Sequence, residues 1–379
     1  MVSDLIVVAE RRAYAPSCTF QLMSRLLLDR QVLWVDADAF RRERHAQAAP
    51  AAASPPTANT APDVKAPFPV LTAEDLGAGA HPLAPLVSSR LLARRVMRTA
   101  QSHRLRNPIL WLASPWAAPL LEAGYDGPVV YQVGPEQLPA DADAARACAV
   151  QEAAILARAD LVLLPARDAL PQVPRARTRL LPAAVDLDLF STPAQRARDL
   201  PQHRPIAGCH GHFDRGFDAR LFADIARRLP HWRFMLLGPV ACDLSAVRGL
   251  ANVRVAGARS QDQLPRYLQF WNASLLLRHP GAPVRRAPPV TLLEALATGL
   301  PVLVAGRSNL GGYADLVTRA EDADAAAAAV SAAAAEPAEW RALRRRRVAG
   351  DGWDARAAMV NRLLADLDAH AAIGAIAGR

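Results

Sequence analysis

The sequence predicts an α/β protein made of two Rossmann-like domains in tandem, with a ligand cleft between them. Its 379 residues suit two domains at roughly 100–200 residues each. Apolar residues make up 51% of the chain, which excludes wholesale disorder. Short apolar runs alternate with segments of helical periodicity, and this order is typical of parallel sheets covered by helices on both faces.

The first half begins with a strand, a helix and a second strand. Leu5–Ala9 is a short apolar run that suits a strand buried on both faces. Apolar residues then recur at helical spacing over 20–27, and Val32–Asp36 is the second apolar run. Further strands are predicted at 108–113, 127–133, 160–165 and 178–183, and helices at 85–101, 115–123 and 140–157. No GxGxxG phosphate loop follows a strand, so a nicotinamide dehydrogenase is not expected.

Two segments interrupt this alternation. Residues 47–69 are rich in Ala, Pro, Thr and Ser and predict a flexible loop. Residues 191–204 are polar with prolines near both ends, and they predict an interdomain linker. We therefore expect an N-terminal domain at 1–190, a C-terminal domain at 205–352 and a C-terminal helix within 353–379.

A second βα series fills the C-terminal domain. Its strands are predicted at 206–210, 232–237, 253–256, 274–277 and 301–304, and its helices at 218–228, 261–271, 290–298, 322–335, 340–347 and 354–370. Ligands of such sheets bind at the carboxyl ends of the strands, here in the cleft between the domains.

The charge and cysteine content restrict the partners. The net charge of +9 comes almost entirely from arginine, because Lys65 is the only lysine. Heavy use of Ala, Arg and Pro with one lysine is typical of codon bias in a GC-rich genome, so the basicity alone does not indicate a function. A basic surface suits phosphate-bearing ligands or anionic membranes, and no nucleic-acid motif is present, so nucleic acid is not an expected partner. The four cysteines form no CxxC pair. With no secretory signal and no membrane-spanning apolar run, the sequence predicts a cytoplasmic protein.

A glycine-rich turn follows the first strand of the second series. Glycines allow close backbone approach, and the helix that opens near Asp218 can hold a phosphate at its N-terminus together with Gly211. His212 or Arg215 would add a charge-assisted hydrogen bond. The alternative is a glycine turn with surface His and Arg, and the local pattern does not decide between the two.

Glu294 stands inside an otherwise apolar helix. Pro288 and Pro289 fit the start of that helix, and Gly299 fits its end. A carboxylate in such a place usually has a partner, and it could accept both hydroxyls of a ribose. The alternative is a glutamate on a solvated stripe beside Thr291, which helical periodicity alone favours.

Three arginines lie at the mouth of the second sheet. Arg278 ends a predicted strand, and Arg285 and Arg286 follow in a proline-rich loop. They make a plausible anion cradle. A solvated basic loop in an arginine-rich protein is the alternative.

Nine segments spread over nearly the whole chain follow a recognisable order and spacing, namely residues 20–27, 151–162, 180–186, 206–218, 232–239, 250–257, 263–268, 292–302 and 352–356. In this order and spacing the chain resembles bacterial GT-B glycosyltransferases. It resembles most of all the family-4-like enzymes of surface-polysaccharide assembly, including the teichuronic-acid type.

The resemblance implies a metal-independent enzyme without a cofactor. A nucleotide-sugar donor would bind the C-terminal domain, and a glycan or lipid-linked acceptor would bind the N-terminal one. Glu294 matches the glutamate that holds the ribose in that family, and the C-terminal helix is expected to cross back to the N-terminal domain. The implied donor-binding residues are Gly211, His212, Arg215, Arg278, Arg285, Arg286, Thr291 and Glu294.

Three departures from the family pattern raise a second hypothesis. Arg286 stands where many relatives carry a second glutamate, and Thr291 where close relatives carry lysine. Glu136 is the only acid left in a segment that is acid-rich in those relatives, and it either accepts the proton of the acceptor hydroxyl or caps a turn. The second hypothesis is a catalytically degenerate GT-B protein that binds a glycan or a partner.

An arginine-rich segment from Arg90 to Arg106 has apolar residues interleaved. Such a segment could lie on the anionic inner face of the cell membrane as a peripheral contact. An ordinary solvated amphipathic helix is the alternative.

Overall fold

The computed structural model describes residues 2–10, 17–37, 40, 66–72, 74–76, 89–122, 124–134, 142–167, 169–170 and 172–377, with the backbone alone at 89, 90, 142 and 370–377. Within these residues the chain forms two parallel sheets, each covered by helices. No helix in this part of the chain combines the length and the apolar character needed to cross a membrane.

The first sheet has seven parallel strands in the order β3-β2-β1-β4-β5-β6-β7. The strands are β1 (Leu5–Ala9), β2 (Val32–Asp36), β3 (Val70–Leu71), β4 (Ile109–Leu112), β5 (Val129–Gln132), β6 (Leu161–Leu164) and β7 (Thr178–Leu180). The helices of this half are α1 (Cys18–Leu26), α2 (Ser89–Ser102), α3 (Pro119–Glu122) and α4 (Ala142–Arg158).

The second sheet has six parallel strands in the order β10-β9-β8-β11-β12-β13. The strands are β8 (Ile206–His210), β9 (Arg233–Leu237), β10 (Val253–Gly257), β11 (Ala273–Leu277), β12 (Val302–Ala305) and β13 (Val317–Ala320). The helices are α5 (Leu187–Ser191), α6 (Ala219–Arg228), α7 (Pro265–Leu268), α8 (Val290–Thr298), α9 (Ala323–Ala333), α10 (Ala338–Val348) and α11 (Trp353–Ala377). Short 3-10 turns occur at Pro115–Ala117, Arg175–Arg177, Ser245–Val247, Gln261–Gln263 and Gly311–Leu316.

Burial on both faces explains the apolar runs. In β1, Ile6 and Val8 pack into one core, and Leu5 and Val7 pack into another on the opposite face. The second sheet is likewise enclosed between two cores. Because side chains alternate between faces, a strand that is covered on both sides is apolar along most of its length.

The C-terminal helix crosses back to the N-terminal domain, as expected. Val360 and Leu364 of α11 are buried in the core that also holds Leu22 and Met23 of α1. Arg25 of α1 donates to the carboxylate of Asp354 over 2.6 Å. The last helix thus closes one face of the first sheet.

The linker region packs against the second domain. Phe190, Ala197 and Leu200 are buried in a core of the second sheet, so this segment is fixed to that domain along part of its length. The strands of the two sheets fall within residues 5–180 and 206–320. The boundaries at 190, 204 and 352 stay a prediction.

Several predicted elements differ from those observed. The two edge strands β3 and β13 were not predicted, since they are short and only partly buried. The helix expected over 261–271 is a 3-10 turn followed by α7, because Pro265 lacks an N–H and starts a new helix. The strand expected over 178–183 ends at Leu180, two residues before Pro182. Most of the segment predicted as a flexible loop, 47–65, lies outside the described residues.

Candidate active site

A cleft of about 750 Å³ lies between the two domains. Its lining includes residues at the carboxyl ends of β1, β4, β8 and β11, among them Ala9, Ala113, His210 and Arg278. Strand order reverses between β1 and β4 and again between β8 and β11. Ligands of open parallel sheets bind at these switch points, so the fold places both of them in one cleft.

Glu294 is buried within the cleft wall. It is 5% exposed, and its Oε2 lies 3.0 Å from Nε2 of His210, the last residue of β8. Its Oε1 accepts a hydrogen bond from Gln261 over 3.4 Å, and Gln261 in turn accepts from Gln21 of α1 over 2.6 Å. The alternative of a solvated surface glutamate is therefore wrong. This chain of hydrogen bonds joins the carboxylate to both domains.

Two glycines bring the turn after β8 close to its neighbours. Gly211 has a φ of +112°, and a Cβ there would lie 2.8 Å from Cγ2 of Thr291 in α8. Gly238 has a φ of +151°, and a Cβ there would lie 1.9 Å from the carbonyl oxygen of Gly211. The backbone at the mouth of β8 is thus packed at distances that only glycine permits.

Two of the cleft arginines are held by one carboxylate. Arg278 and Arg285 donate to Asp214 over 2.9 and 3.3 Å. Burial opposes ionisation of Asp214, but the charges of both arginines and the N–H of Gly216 outweigh it, so the pKa of Asp214 lies below its ordinary value. A Cβ at Gly216 would lie 2.3 Å from the Arg278 guanidinium, so this glycine makes room for it.

A third arginine reaches across the cleft to the other domain. Arg286 donates from Nη1 and Nη2 to Glu152 of α4 over 3.3 and 3.5 Å. The hydroxyl of Tyr131 donates to Oε1 of Glu152 over 2.7 Å. Burial first, and the charge of Glu152 second, raise the pKa of Tyr131. Burial likewise raises the pKa of the neighbouring Cys148 thiol to about 11, with Glu152 adding to the shift.

The N-terminal wall also carries neutral polar groups. Oε1 of Gln132 accepts from Thr19 over 3.1 Å and from the indole N–H of Trp111 over 2.9 Å. Because these donors fix the amide oxygen, the amide nitrogen of Gln132, which lines the cleft, can donate to a ligand. Trp116 adds an aromatic surface to the same wall.

A family model matches part of the second half of the chain. Residues 215–367 match the family model described as glycosyl transferase-like. No match was found among curated proteins.

Solved structures match the whole chain. The α,α-trehalose 6-phosphate synthase of Burkholderia multivorans superposes with a TM-score of 0.63 at 13% identity, covering 100% of this chain and 99% of that one. HepE of Anabaena, in complex with UDP and glucose, gives 0.65 at 15% identity, covering 97% and 100%. A glycosyltransferase of Rickettsia africae gives 0.65 at 10% identity, covering 97% and 98%.

The protein has the GT-B fold.

The GT-B cleft brings together most of the residues selected from the sequence. Seven of the eight implied donor-binding residues line it: Gly211, His212, Arg278, Arg285, Arg286, Thr291 and Glu294. Arg215 is exposed and is not among the lining residues. Glu136 lies outside the described residues, so its role stays a prediction.

Sequence analysis missed several residues of the site. His210 ends the strand before the glycine-rich turn, so its position could have marked it. Gln261 carries no local signal. Glu152 lies in a segment of the resemblance, but nothing local points to its role, since its partner Arg286 lies 134 residues away. The described residues contain no group of three His, Cys, Asp or Glu side chains suited to a metal ion. Metal independence stays a prediction, as do the family-4 subgroup and the cytoplasmic location.

Proposed function

We propose that this GT-B protein transfers a sugar from a nucleotide-sugar donor to a glycan or lipid-linked acceptor in surface-polysaccharide biosynthesis. The observation that carries the proposal is Glu294, a buried carboxylate in the cleft wall of the domain that matches the glycosyl transferase-like family. Glycosyltransferase activity is supported by that match together with the fold.

Glu294 is suited to a ribose. Each carboxylate oxygen can accept two hydrogen bonds, and each has one protein donor, from His210 and Gln261. The free lone pairs can accept the two hydroxyls of a ribose. Since both donors hold the carboxylate in place, little ordering is needed when the nucleotide binds.

The neighbouring arginines are suited to the diphosphate. Transfer breaks the bond between the anomeric carbon and the diphosphate oxygen, and the departing nucleoside diphosphate keeps the electron pair. Arg278, Arg285 and Arg286, with the N-terminal residues of α8 beside them, would stabilise this developing charge without a metal. The acceptor oxygen bonds to the anomeric carbon and loses its proton, for which Glu136 remains the proposed recipient.

The acceptor would bind the opposite wall. Trp116 suits the apolar face of a sugar ring, and the amide of Gln132 suits a hydroxyl. HepE is solved with UDP and glucose, and an Escherichia coli relative with UDP-2-fluoro glucose, at 15% and 14% identity. These complexes make UDP and UDP-sugars the first candidates for the donor.

The peripheral membrane contact included in this proposal would be electrostatic. Leu92 and Val96 of α2 are buried in the core of the first domain and are not available to a bilayer. Arg94 and Arg98 on the same helix are exposed. We expect sedimentation with phosphatidylserine vesicles at low salt, and its loss in an Arg94→Ala/Arg98→Ala variant. Equal sedimentation of both proteins would remove this part of the proposal.

The donor site is tested by calorimetric titration with UDP, GDP, ADP and dTDP. One of the four is expected to bind wild type and to bind Glu294→Ala at least tenfold more weakly. At 100 times the dissociation constant the bound nucleotide should stabilise the protein by about 2.7 kcal/mol. Glu339→Ala removes an exposed carboxylate from α10 and serves as the control.

Catalysis is tested separately by hydrolysis of the matching nucleotide-sugar without acceptor. Hydrolysis should persist in EDTA and be lost in Glu294→Ala. Nucleotide binding without any turnover of donor, or no nucleotide binding at all, would favour the alternative, a catalytically degenerate GT-B protein that binds a glycan or a partner.

A further inference from the structure

The ion pair between Arg286 and Glu152 joins the two walls of the cleft. Arg286 lies in the loop before α8 in the C-terminal domain, and Glu152 lies on α4 in the N-terminal domain. Their side chains are only 15% and 9% exposed. Both residues line the cleft, so a ligand that fills it must meet this pair.

The two partners of the pair are held unequally. Glu152 has a second, shorter hydrogen bond from the buried hydroxyl of Tyr131, over 2.7 Å. The guanidinium of Arg286 donates to Glu152 over 3.3 and 3.5 Å, longer than the 2.7–2.9 Å usual for a charge-assisted bond. Glu152 is therefore fixed by its own domain, and Arg286 is the partner that can leave.

We propose that Glu152 competes with the diphosphate of the donor for Arg286. In the free protein Arg286 is paired with Glu152. When a nucleoside diphosphate enters, its oxygens take the guanidinium, because a doubly or triply charged diphosphate offers a stronger acceptor than one carboxylate. The inference rests on the proposed donor site and adds Glu152 to it as a residue that opposes binding of the diphosphate.

The exchange ties occupancy of the donor site to the opposite wall. Once Arg286 has moved to the diphosphate, the ion pair between the domains is broken. Glu152 keeps the hydroxyl of Tyr131 and presents a carboxylate without a counter-charge to the cleft that Trp116 and Gln132 also line, where a sugar hydroxyl can donate to it. The Glu152 carboxylate is therefore available to the acceptor only after the donor has bound.

The test is a double-mutant cycle measured by calorimetric titration with the nucleoside diphosphate that binds wild type. Glu152→Gln keeps the shape of the side chain and an acceptor for Tyr131 but removes the competing charge, so it should tighten binding on the order of fivefold. Arg286→Ala should weaken binding. In the Arg286→Ala background the Glu152→Gln substitution should not change the affinity, because no guanidinium remains for which Glu152 and the diphosphate can compete.

Two further arms separate this exchange from other causes. The corresponding nucleoside without phosphate should bind wild type and Glu152→Gln equally. Glu339→Gln, which removes one exposed negative charge that does not line the cleft, should leave diphosphate binding unchanged. Unchanged or weaker binding by Glu152→Gln overturns the inference, as does tightening that persists in the Arg286→Ala background. If wild type binds none of the four diphosphates, the proposed function fails instead.

Discussion

The packing of Gly238 against Gly211 predicts that a single methyl group will disable the donor loop. The substitution is Gly238→Ala. Its Cβ would stand 1.9 Å from the Gly211 carbonyl oxygen, and Cβ atoms essentially never approach another heavy atom within 3.0 Å. The Gly211 and Gly238 backbones must therefore separate by about 1 Å. A misplacement of that size costs roughly 100-fold in the rate of an enzymatic reaction, and we expect a loss of the same order in nucleotide affinity.

Gly249 supplies a matched control. It also has a positive φ, +81°, but a Cβ there would have nothing within 4 Å. Gly249→Ala should cost only the backbone strain of an alanine at positive φ, about 1–2 kcal/mol of folding stability, with nucleotide affinity unchanged. Gly238→Ala carries the strain of its own positive φ, +151°, plus the clash. The comparison shows whether a positive-φ alanine without a contact to Gly211 leaves nucleotide binding intact.

The assay is nucleoside diphosphate affinity by calorimetry, with the urea midpoint measured in parallel. Gly238→Ala should bind about 100-fold more weakly than Gly249→Ala, while both remain folded at 25 °C. Equal affinities in the two variants would refute the reasoning, because they would mean that the position of the Gly211 backbone does not determine nucleotide binding.

Three further predictions concern stability and reactivity. Leu364→Ala removes a side chain from the core between the first sheet and α11, and it should lower the free energy of unfolding by about 2–5 kcal/mol. Leu28→Ala, at a position that is 90% exposed, is the control and should change it by less than about 0.5 kcal/mol. Urea unfolding measures both changes. The pKa of Asp214 is lower in the folded than in the unfolded protein, so the stabilisation by its carboxylate is present above about pH 4 and is lost as the pH falls through the folded-state pKa. The difference in urea midpoint between wild type and Asp214→Asn should therefore shrink as the pH is lowered from roughly 5 to 3. A difference that stays constant over this range would contradict the prediction. With a pKa of about 11, only roughly one part in a thousand of the Cys148 thiol is ionised at pH 8, so iodoacetamide should modify Cys148 far more slowly than free cysteine. Glu152→Gln should speed this reaction, because the charge of Glu152 raises the pKa of the thiol. Peptide mass spectrometry gives both rates.

Most of the fold follows from patterns within single segments. Runs such as Leu5–Ala9 and Val302–Ala305 are apolar throughout, because their strands are covered on both faces. The edge strand β13 (Val317–Ala320) escapes the same criterion, since its middle residues are exposed. What the sequence predicts well is therefore the interior of each sheet.

The candidate site was predictable only in part. Glu294 was singled out because it interrupts an apolar helix, although helical periodicity alone favoured a solvated position for it. Its partner His210 lies 84 residues away, and Glu152 lies 134 residues from Arg286. Local patterns carry no information about such pairs, because the meeting of the two residues depends on how the sheets face each other.

The path of α11 has a consequence for synthesis of the chain. The core that encloses Leu22 and Met23 also needs Val360 and Leu364, which are translated well after the strands of the first sheet. At roughly 5–20 residues per second, the ribosome completes α11 on the order of ten to forty seconds after the first sheet. During that interval one face of the nascent first domain exposes apolar side chains to solvent or to a chaperone. The folding of this domain is completed only when α11 has been synthesised, and not when its own sheet is complete.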